Sequence, residues 1–354
     1  MSEQERRVDL VCEGGGVKGI ALVGALSVLE ERGFQPQNVA GTSAGAIVAT
    51  LLAAGYTTAE LRGIIEGLDF ARLKDTAWED RIPLGGQALS ILKDLGIYEG
   101  AFFLDLMREL LAAKGVRTFG DLVHPRYADQ PRYRYKVRVI ASDITGRALL
   151  VLPQDATRLG LANPDDFEVA LAVRMSMSIP IFFEPVRFRH LPGGREHLIV
   201  DGAVLSNFPV WLFDSEGPPE WPTFGLRLVE PDPKTPVSAR LSPPAPPRSG
   251  IGAVVDYLQG LIETMMEAND RQYLTRDVAA RTIAIPTLGV RSTEFELSPE
   301  RAAALYEAGR LAAERFLATW SFPGYIAEFR SGNEHSRRRE IAERSRSATE
   351  GERA

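Results

Sequence analysis

The chain has 354 residues, 45% of them hydrophobic, enough to bury a substantial core and to exclude a disordered or fibrous protein. With 41 Lys and Arg against 47 Asp and Glu, its formal charge is -6, so it lacks the basic footprint of a nucleic-acid binder. The single cysteine, Cys12, excludes an internal disulfide, and the opening Met-Ser-Glu-Gln-Glu-Arg-Arg has no apolar signal-like stretch, so the expected location is the cytoplasm.

The first elements alternate quickly. Val8 to Cys12 reads as a short strand, Glu13 to Gly19 as a glycine loop, and Ile20 to Glu31 as a helix with Leu22, Leu26 and Leu29 at helical spacing. Gly33 is placed to end that helix. A strand at Asn38 to Ala40 then runs through Gly41-Thr42-Ser43-Ala44-Gly45 into a helix reaching about Ala54. Two parallel strands linked through a helix predict an α/β fold with a mainly parallel central sheet. No charge occurs between Arg32 and Glu60, yet glycines and Pro36 interrupt the stretch, so it reads as buried core rather than a membrane span.

Residues 56–125 read as mainly helical and amphipathic, with breaks at Gly85-Gly86 and Gly96, and Tyr133 to Ala141 and Leu198 to Val200 as returning strands. Residues 231–250 hold seven prolines, too many for a helix or central strand. A helical stripe from Ile251 to Met266 follows, then a strand at Thr282 to Pro286 and a helix at Pro299 to Thr319. From Ser331 on, almost nothing is apolar, which predicts a disordered charged tail. The expected organisation is therefore a core over 1–230, a proline-rich linker over 231–250, an extension packed on the core over 251–330 and a tail over 331–354.

Two motifs carry chemistry. Gly41 to Gly45 fits G-x-S-x-G at a strand-to-helix turn, where Ser43 would be presented with a helix N-terminus beneath it; the bland alternative is that Ser43 only caps the helix. Gly14-Gly15-Gly16-Val17-Lys18-Gly19 satisfies G-x-G-x-x-G, but a ribose-binding acid about 20 residues on is missing, and no Lys-Ser or Lys-Thr completes a phosphate loop. Its backbone N–H groups suit an oxyanion instead. Lys18 is expected to point to solvent from the first helical turn.

A base for Ser43 must come from elsewhere. His124, His190, His197 and His335 serve a Ser-His-Asp triad poorly, since His335 lies in the tail and His190 and His197 flank a hairpin-like Pro192-Gly193-Gly194. Asp201, after the apolar Leu198-Ile199-Val200 and before Gly202-Ala203, is a candidate, with Asp143 its rival and simple turn closure its bland reading. An ordinary carboxylate is a weak base, so the role requires burial.

These residues resemble the bacterial patatin-like phospholipases: the Gly14 to Gly19 loop, the Gly41 to Gly45 elbow and a strand-end Asp201-Gly202-Ala203, in that order. Supporting similarity lies in Ala141 to Gly146 and Arg174 to Pro180, and the resemblance covers roughly Val8 to Phe213. It implies a three-layer αβα fold in which Ser43 attacks an acyl ester of a lipid, Asp201 takes its proton, and Gly14, Gly15 and Gly16 hold the oxyanion. Gly19, Gly41, Gly45 and Gly202 would support the motifs. No metal or cofactor is implied. The partner is an acyl lipid, with transient membrane-surface contact permitted. The alternatives are an esterase with a catalytic histidine and a non-catalytic nucleotide-binding scaffold.

Three further groups bear on the substrate side. Arg132, Arg134, Lys136 and Arg138 would form one basic face of a strand, either touching anionic headgroups or guarding a solvated sheet edge. Tyr98, Phe102, Phe103, Leu104 and Met107 would line an acyl pocket, form a lid or pack in the core. Arg174 is expected to pair with an acid below the site, and Ser176 and Ser178 to satisfy a helix end.

Overall fold

The computed structural model describes residues 6–67, 100–180, 182–189, 194–215, 217–230, 260, 264, 275–292, 294 and 297–330. The opening strand, β1 (Arg7–Cys12), leads through a 3-10 turn (Gly16–Lys18) into α1 (Gly19–Glu31). Next come β2 (Gln35–Thr42), α2 (Ala44–Ala53), α3 (Thr58–Gly67) and α4 (Ala101–Ala113). The middle of the chain supplies β3 (Val137–Asp143), β4 (Ala148–Leu152), α5 (Val169–Ser176), β5 (Val186–Phe188) and β6 (His197–Asp201). The rest forms β7 (Thr223–Val229), α6 (Arg276–Ala279), β8 (Thr282–Pro286), α7 (Pro299–Thr319) and α8 (Phe322–Phe329).

Among the described residues, all eight strands belong to one mixed sheet in the order β5-β6-β3-β2-β1-β7-β8, with β4 also paired to β3. Pairings β1–β2, β1–β7, β2–β3 and β7–β8 are parallel, whereas β3–β4, β3–β6 and β5–β6 are antiparallel. The period of two along each strand divides the core. Val8, Leu10, Val39, Val137 and Val139 face a large cluster with α1, α2, α5 and α7, while Val11, Ala40 and Ile140 face Phe208, Val210, Phe213 and Val278 on the opposite side. Helical segments thus cover both faces, the αβα arrangement expected.

Gly33 adopts φ 78° directly after α1, and the Phe34 amide reaches back to the Leu29 carbonyl, so the predicted helix stop is a left-handed cap. α1 crosses α7 at backbone contact: a Cβ on Gly24 would lie 2.0 Å from the Tyr306 carbonyl oxygen, and one on Gly309 1.9 Å from that of Ala21. The strand at Thr282 to Pro286 and the helix at Pro299 to Thr319 match their expected bounds.

Other expectations need correction. The strand expected at Tyr133 to Ala141 begins only at Val137, because Asn38 Nδ2 takes the Tyr133 and Tyr135 carbonyls from the side. It is no edge and has no solvated basic face. β3 is paired on both sides, and Arg138 is buried, its guanidinium 4.9 Å from the Phe213 ring centroid and bonded to the Arg132 carbonyl. Arg134 pairs with Asp165 at 2.5 Å. The predicted Asn38 to Ala40 strand extends from Gln35 to Thr42. Phe103 and Met107 are core residues, Phe102 is 38% exposed, and Tyr98 lies outside the described residues. The proline-rich stretch, the charged tail and nearly all of the Ile251 to Met266 stripe also lie outside them.

Candidate active site

The site follows from the pairing of β3. Thr42 of β2 pairs with Ile140, and Asp201 of β6 pairs with Ala141, the next residue along. Val151 and Leu150 of β4 occupy the other edge of those same two residues, so β2 and β6 lie end to end along one side of β3. The chain leaves the sheet at Ser43 in the row where β6 also ends, at Asp201. Residues distant in sequence are brought together by the register alone.

Ser43 sits at φ 54° and ψ -127°, a region that non-glycine residues rarely occupy and that costs on the order of 1–3 kcal/mol. The elbow is sterically closed around it. A Cβ on Gly45 would lie 2.3 Å from the Cys12 carbonyl oxygen, and one on Gly41 2.2 Å from that of Gly45, so both positions exclude any side chain. The Ser43 amide donates to Ser176 Oγ at 2.9 Å, which fixes the strained backbone from α5. The Ser43 hydroxyl is directed at Met177 Sδ, 3.7 Å away.

Asp201 and Ser43 are each only 1% exposed. Asp201 Oδ1 accepts the Ala203 amide at 2.8 Å and so closes the Gly202–Val204 turn, while its own amide donates to the Ser178 carbonyl at 2.9 Å. Oδ2 is buried without a hydrogen-bond partner among the described residues. Burial pushes the Asp201 pKa up to about 7, against the lowering effects of the Ala203 amide and the neighbouring Ser43 hydroxyl. Gly202 is required by contact, since its Cβ would lie 2.3 Å from the Ile140 carbonyl oxygen.

The glycine turn lies beside the elbow. A Cβ on Gly14 would come within 3.1 Å of Ser43 Cβ, and one on Gly19 within 3.3 Å of Ala44 Cβ. The Gly14 amide is committed to the Asn207 carbonyl at 3.2 Å, and Asn207 Nδ2 returns a bond to the Gly14 carbonyl. The amides of Gly15 and Gly16 meet no acceptor among the described residues. Lys18 is not in solvent as expected. It is buried and pairs with Glu230 at 2.8 Å, because the turn is covered by the end of β7.

The remaining candidates are occupied elsewhere. Asp143 Oδ2 lies 2.6 Å from His197 Nδ1, and its Oδ1 accepts the Thr145 and Gly146 amides. His197 begins β6, four residues and therefore ~13 Å along the strand from Asp201. His124 caps a short 3-10 turn, and His190 and His335 lie outside the described residues. Arg174 donates to Ser178 Oγ at 2.5 Å and to the Glu184 carbonyl at 3.1 Å, and burial draws its pKa down to about 10. Asn207 is the contributor that sequence reasoning missed; Ser176, expected to satisfy a helix end, accepts the Ser43 amide, a contact that no local spacing signals. Among the described residues no group of three or more His, Cys, Asp or Glu side chains is placed to hold a metal ion.

Fold and site together define a class: an α/β protein with a strained serine elbow facing a buried strand-end carboxylate. Residues 10–214 match the family described as patatin-like phospholipase, and the chain belongs to that family. It is 40% identical to the uncharacterized protein YqhO of Bacillus subtilis (strain 168) over 316 residues, covering 89% of this chain and 99% of that one. The probable lipid hydrolase 463L of Invertebrate iridescent virus 6 is 24% identical over 215 residues, 57% of this chain and 61% of that one. VipD from Legionella pneumophila shares the fold at a TM-score of 0.51 and 20% identity, over 89% of this chain and 67% of that one. Among the described residues no helix is long and apolar enough to cross a membrane.

Proposed function

We propose that this protein hydrolyses carboxylic ester bonds of phospholipids or related acyl lipids, with Ser43 as nucleophile and Asp201 as its base. The observation that carries the reading is the strained Ser43 set in one sheet row with a carboxylate whose Oδ2 is buried and unpartnered. A rotation of the Ser43 hydroxyl away from Met177 would direct its proton to that oxygen. Burial matches the carboxylate to the task, because a base near neutral pKa accepts a proton far better than one near 4.

Attack by Ser43 Oγ on the ester carbonyl forms a C–O bond and transfers the hydroxyl proton to Asp201. The negative charge then developing on the carbonyl oxygen is met by the amides of Gly15 and Gly16 and by the N-terminus of α2. Collapse expels the alcohol, which takes the proton from Asp201 and leaves an acyl-enzyme. Water then attacks the acyl carbon as Asp201 takes its proton, and collapse breaks the Ser43 Oγ–acyl bond, returns that proton to Ser43 and releases the fatty acid. The place of His197 at the start of β6, ~13 Å along the strand from Asp201, weighs against the alternative histidine base.

A fluorophosphonate probe with intact-mass localisation tests the reading on wild type, Ser43→Ala and Asp201→Asn. Labelling at Ser43 that is lost in both variants is expected. An unlabelled, folded wild type, or hydrolysis retained by Ser43→Ala, would remove the proposal.

A further inference from the structure

The family match ends at residue 214, yet the contacts around the glycine turn come from beyond it. The Glu13 amide, at the start of the loop, donates to the Leu226 carbonyl at 3.1 Å, and Glu13 Oε2 receives the Leu228 amide. A Cβ on Gly15 would lie 2.2 Å from Leu228 Cδ1. Gly16 has φ 54° and so close an approach to the turn after β8 that a Cβ there would lie 2.0 Å from the Ser292 carbonyl oxygen. That same oxygen accepts the Val17 amide at 3.2 Å.

The side chains continue the connection. Lys18 Nζ lies 2.8 Å from Glu230 Oε1, and Glu230 Oε2 accepts Thr287 Oγ1 at 2.9 Å. Lys18 is buried and Glu230 about half exposed, so the pair sits where solvent screens it in part, and its Coulombic attraction alone is modest. Its geometric consequence is larger. Glu230 closes β7 and Thr287 follows β8, two parallel neighbours in the sheet, so the carboxylate ties the 3-10 turn to two strand ends at once.

We infer that Glu230 and Thr287 are positioning residues for the reaction, acting through Lys18 to fix the amides of Gly15 and Gly16 where negative charge develops on the substrate. The inference rests on the proposed ester hydrolysis. It makes the segment beyond residue 214 part of the catalytic apparatus rather than an appended support. An oxyanion site works by being held in place before charge arrives, and a displacement of about 1 Å costs up to about 100-fold in rate. Release of one anchor on a turn held at several points should cost less.

The test is steady-state hydrolysis of a soluble short-chain acyl ester by the full-length protein, with fluorophosphonate labelling rates measured in parallel. Glu230→Gln and Thr287→Val should each lower kcat about tenfold at nearly constant KM and slow labelling of Ser43 equally, while Thr287→Ser, which keeps the hydroxyl, restores the wild-type rate. Arg276→Ala, on an exposed ion pair with Glu328, serves as the control and should leave the rate unchanged. Wild-type kcat and labelling in folded Glu230→Gln and Thr287→Val, even with a lowered Tm, would overturn the inference. If Glu230→Gln does not fold, the comparison of Thr287→Val with Thr287→Ser decides. Failure of the underlying reading appears in a different protein, as undiminished hydrolysis by Ser43→Ala, and would carry this inference with it.

Discussion

His197 and Asp143 form a buried pair in which the imidazole Nδ1 lies 2.6 Å from the carboxylate, near the end of the sheet that carries Ser43 but several residues along β6 from Asp201. Both are candidates for the base by sequence, but Asp143 pairs with Ile199 and His197 begins β6, so neither lies in the row of Ser43 and Asp201. Removing the imidazole leaves a buried carboxylate oxygen short of a partner, which costs about 1–3 kcal/mol. His197→Ala is therefore expected to lower the urea midpoint while the folded fraction keeps wild-type turnover. A hundredfold loss of turnover in folded protein would restore the histidine to the mechanism.

On the proposed mechanism, the ionisation of Asp201 sets the pH dependence of activity. With its pKa at about 7, the carboxylate is charged and able to accept a proton above that pH. The expected kcat/KM falls about tenfold per unit as pH drops below 7 and reaches a plateau above it. A profile that is flat from pH 5 to 8 would exclude this base.

Stability should follow the same ionisation in the opposite sense. The folded-state pKa is raised from 3.8 to about 7, so between those limits the folded protein holds more proton than the unfolded chain. Stability contributed by the protonated form is therefore complete below about 4 and lost as pH rises through about 7. Asp201→Asn cannot ionise, and its amide oxygen can still accept from Ala203. Its Tm is expected to exceed that of wild type at pH 8, with the gap narrowing at pH 5. The buried Asp9, also raised to about 7, adds a background slope common to both proteins. A gap independent of pH would count against an ionised, buried Asp201.

Ser176 offers a test of the elbow itself. Ser176→Ala leaves the buried Ser43 amide without its acceptor, a loss of about 1–3 kcal/mol by chemical denaturation. Labelling of Ser43 should slow as well, since that bond holds the backbone in its strained form. Wild-type labelling kinetics would show the strain to be maintained by the glycines alone.

Gly45→Ala is expected to be more damaging. Its Cβ would fall 2.3 Å from the Cys12 carbonyl oxygen, where neither partner is a flexible side chain. Overpacking of this kind costs about 1–3 kcal/mol and more where backbone must move. The measurable result is a reduced yield of folded protein, with no Ser43 labelling in what remains. A stable, labelled Gly45→Ala would mean that β1 and α2 can separate without loss of the site.

Much of this arrangement was legible in the sequence because local chemistry encodes it. Glycines that admit close backbone contact at 14–19 and 41–45, and a strand-end Asp-Gly-Ala, can each be read within a few residues. The β8 strand and the α7 helix were equally readable, since each can be read from a short stretch of its own residues. Lys18 was misread because its partner, Glu230, lies more than two hundred residues away and no local pattern announces it. Arg132 to Arg138 failed for a related reason. Alternating basic residues describe a solvated edge only if the strand is an edge, and strand order is decided by β2, β4 and β6 together.

That strand order has a consequence for how the polypeptide reaches its native state. β1, made first, lies in the middle of the sheet, and one of its edges is completed only by β7, with Asp9 to Cys12 facing Thr223 to Leu226. A chain halted at residue 214 would present β1 as a bare, apolar edge, a template for pairing with another copy. During synthesis the same edge stays open until β7 has emerged, so the interval is one of exposure to aggregation and of dependence on chaperones. An expression fragment cut at the family boundary would be expected in inclusion bodies, whatever the integrity of its serine and aspartate.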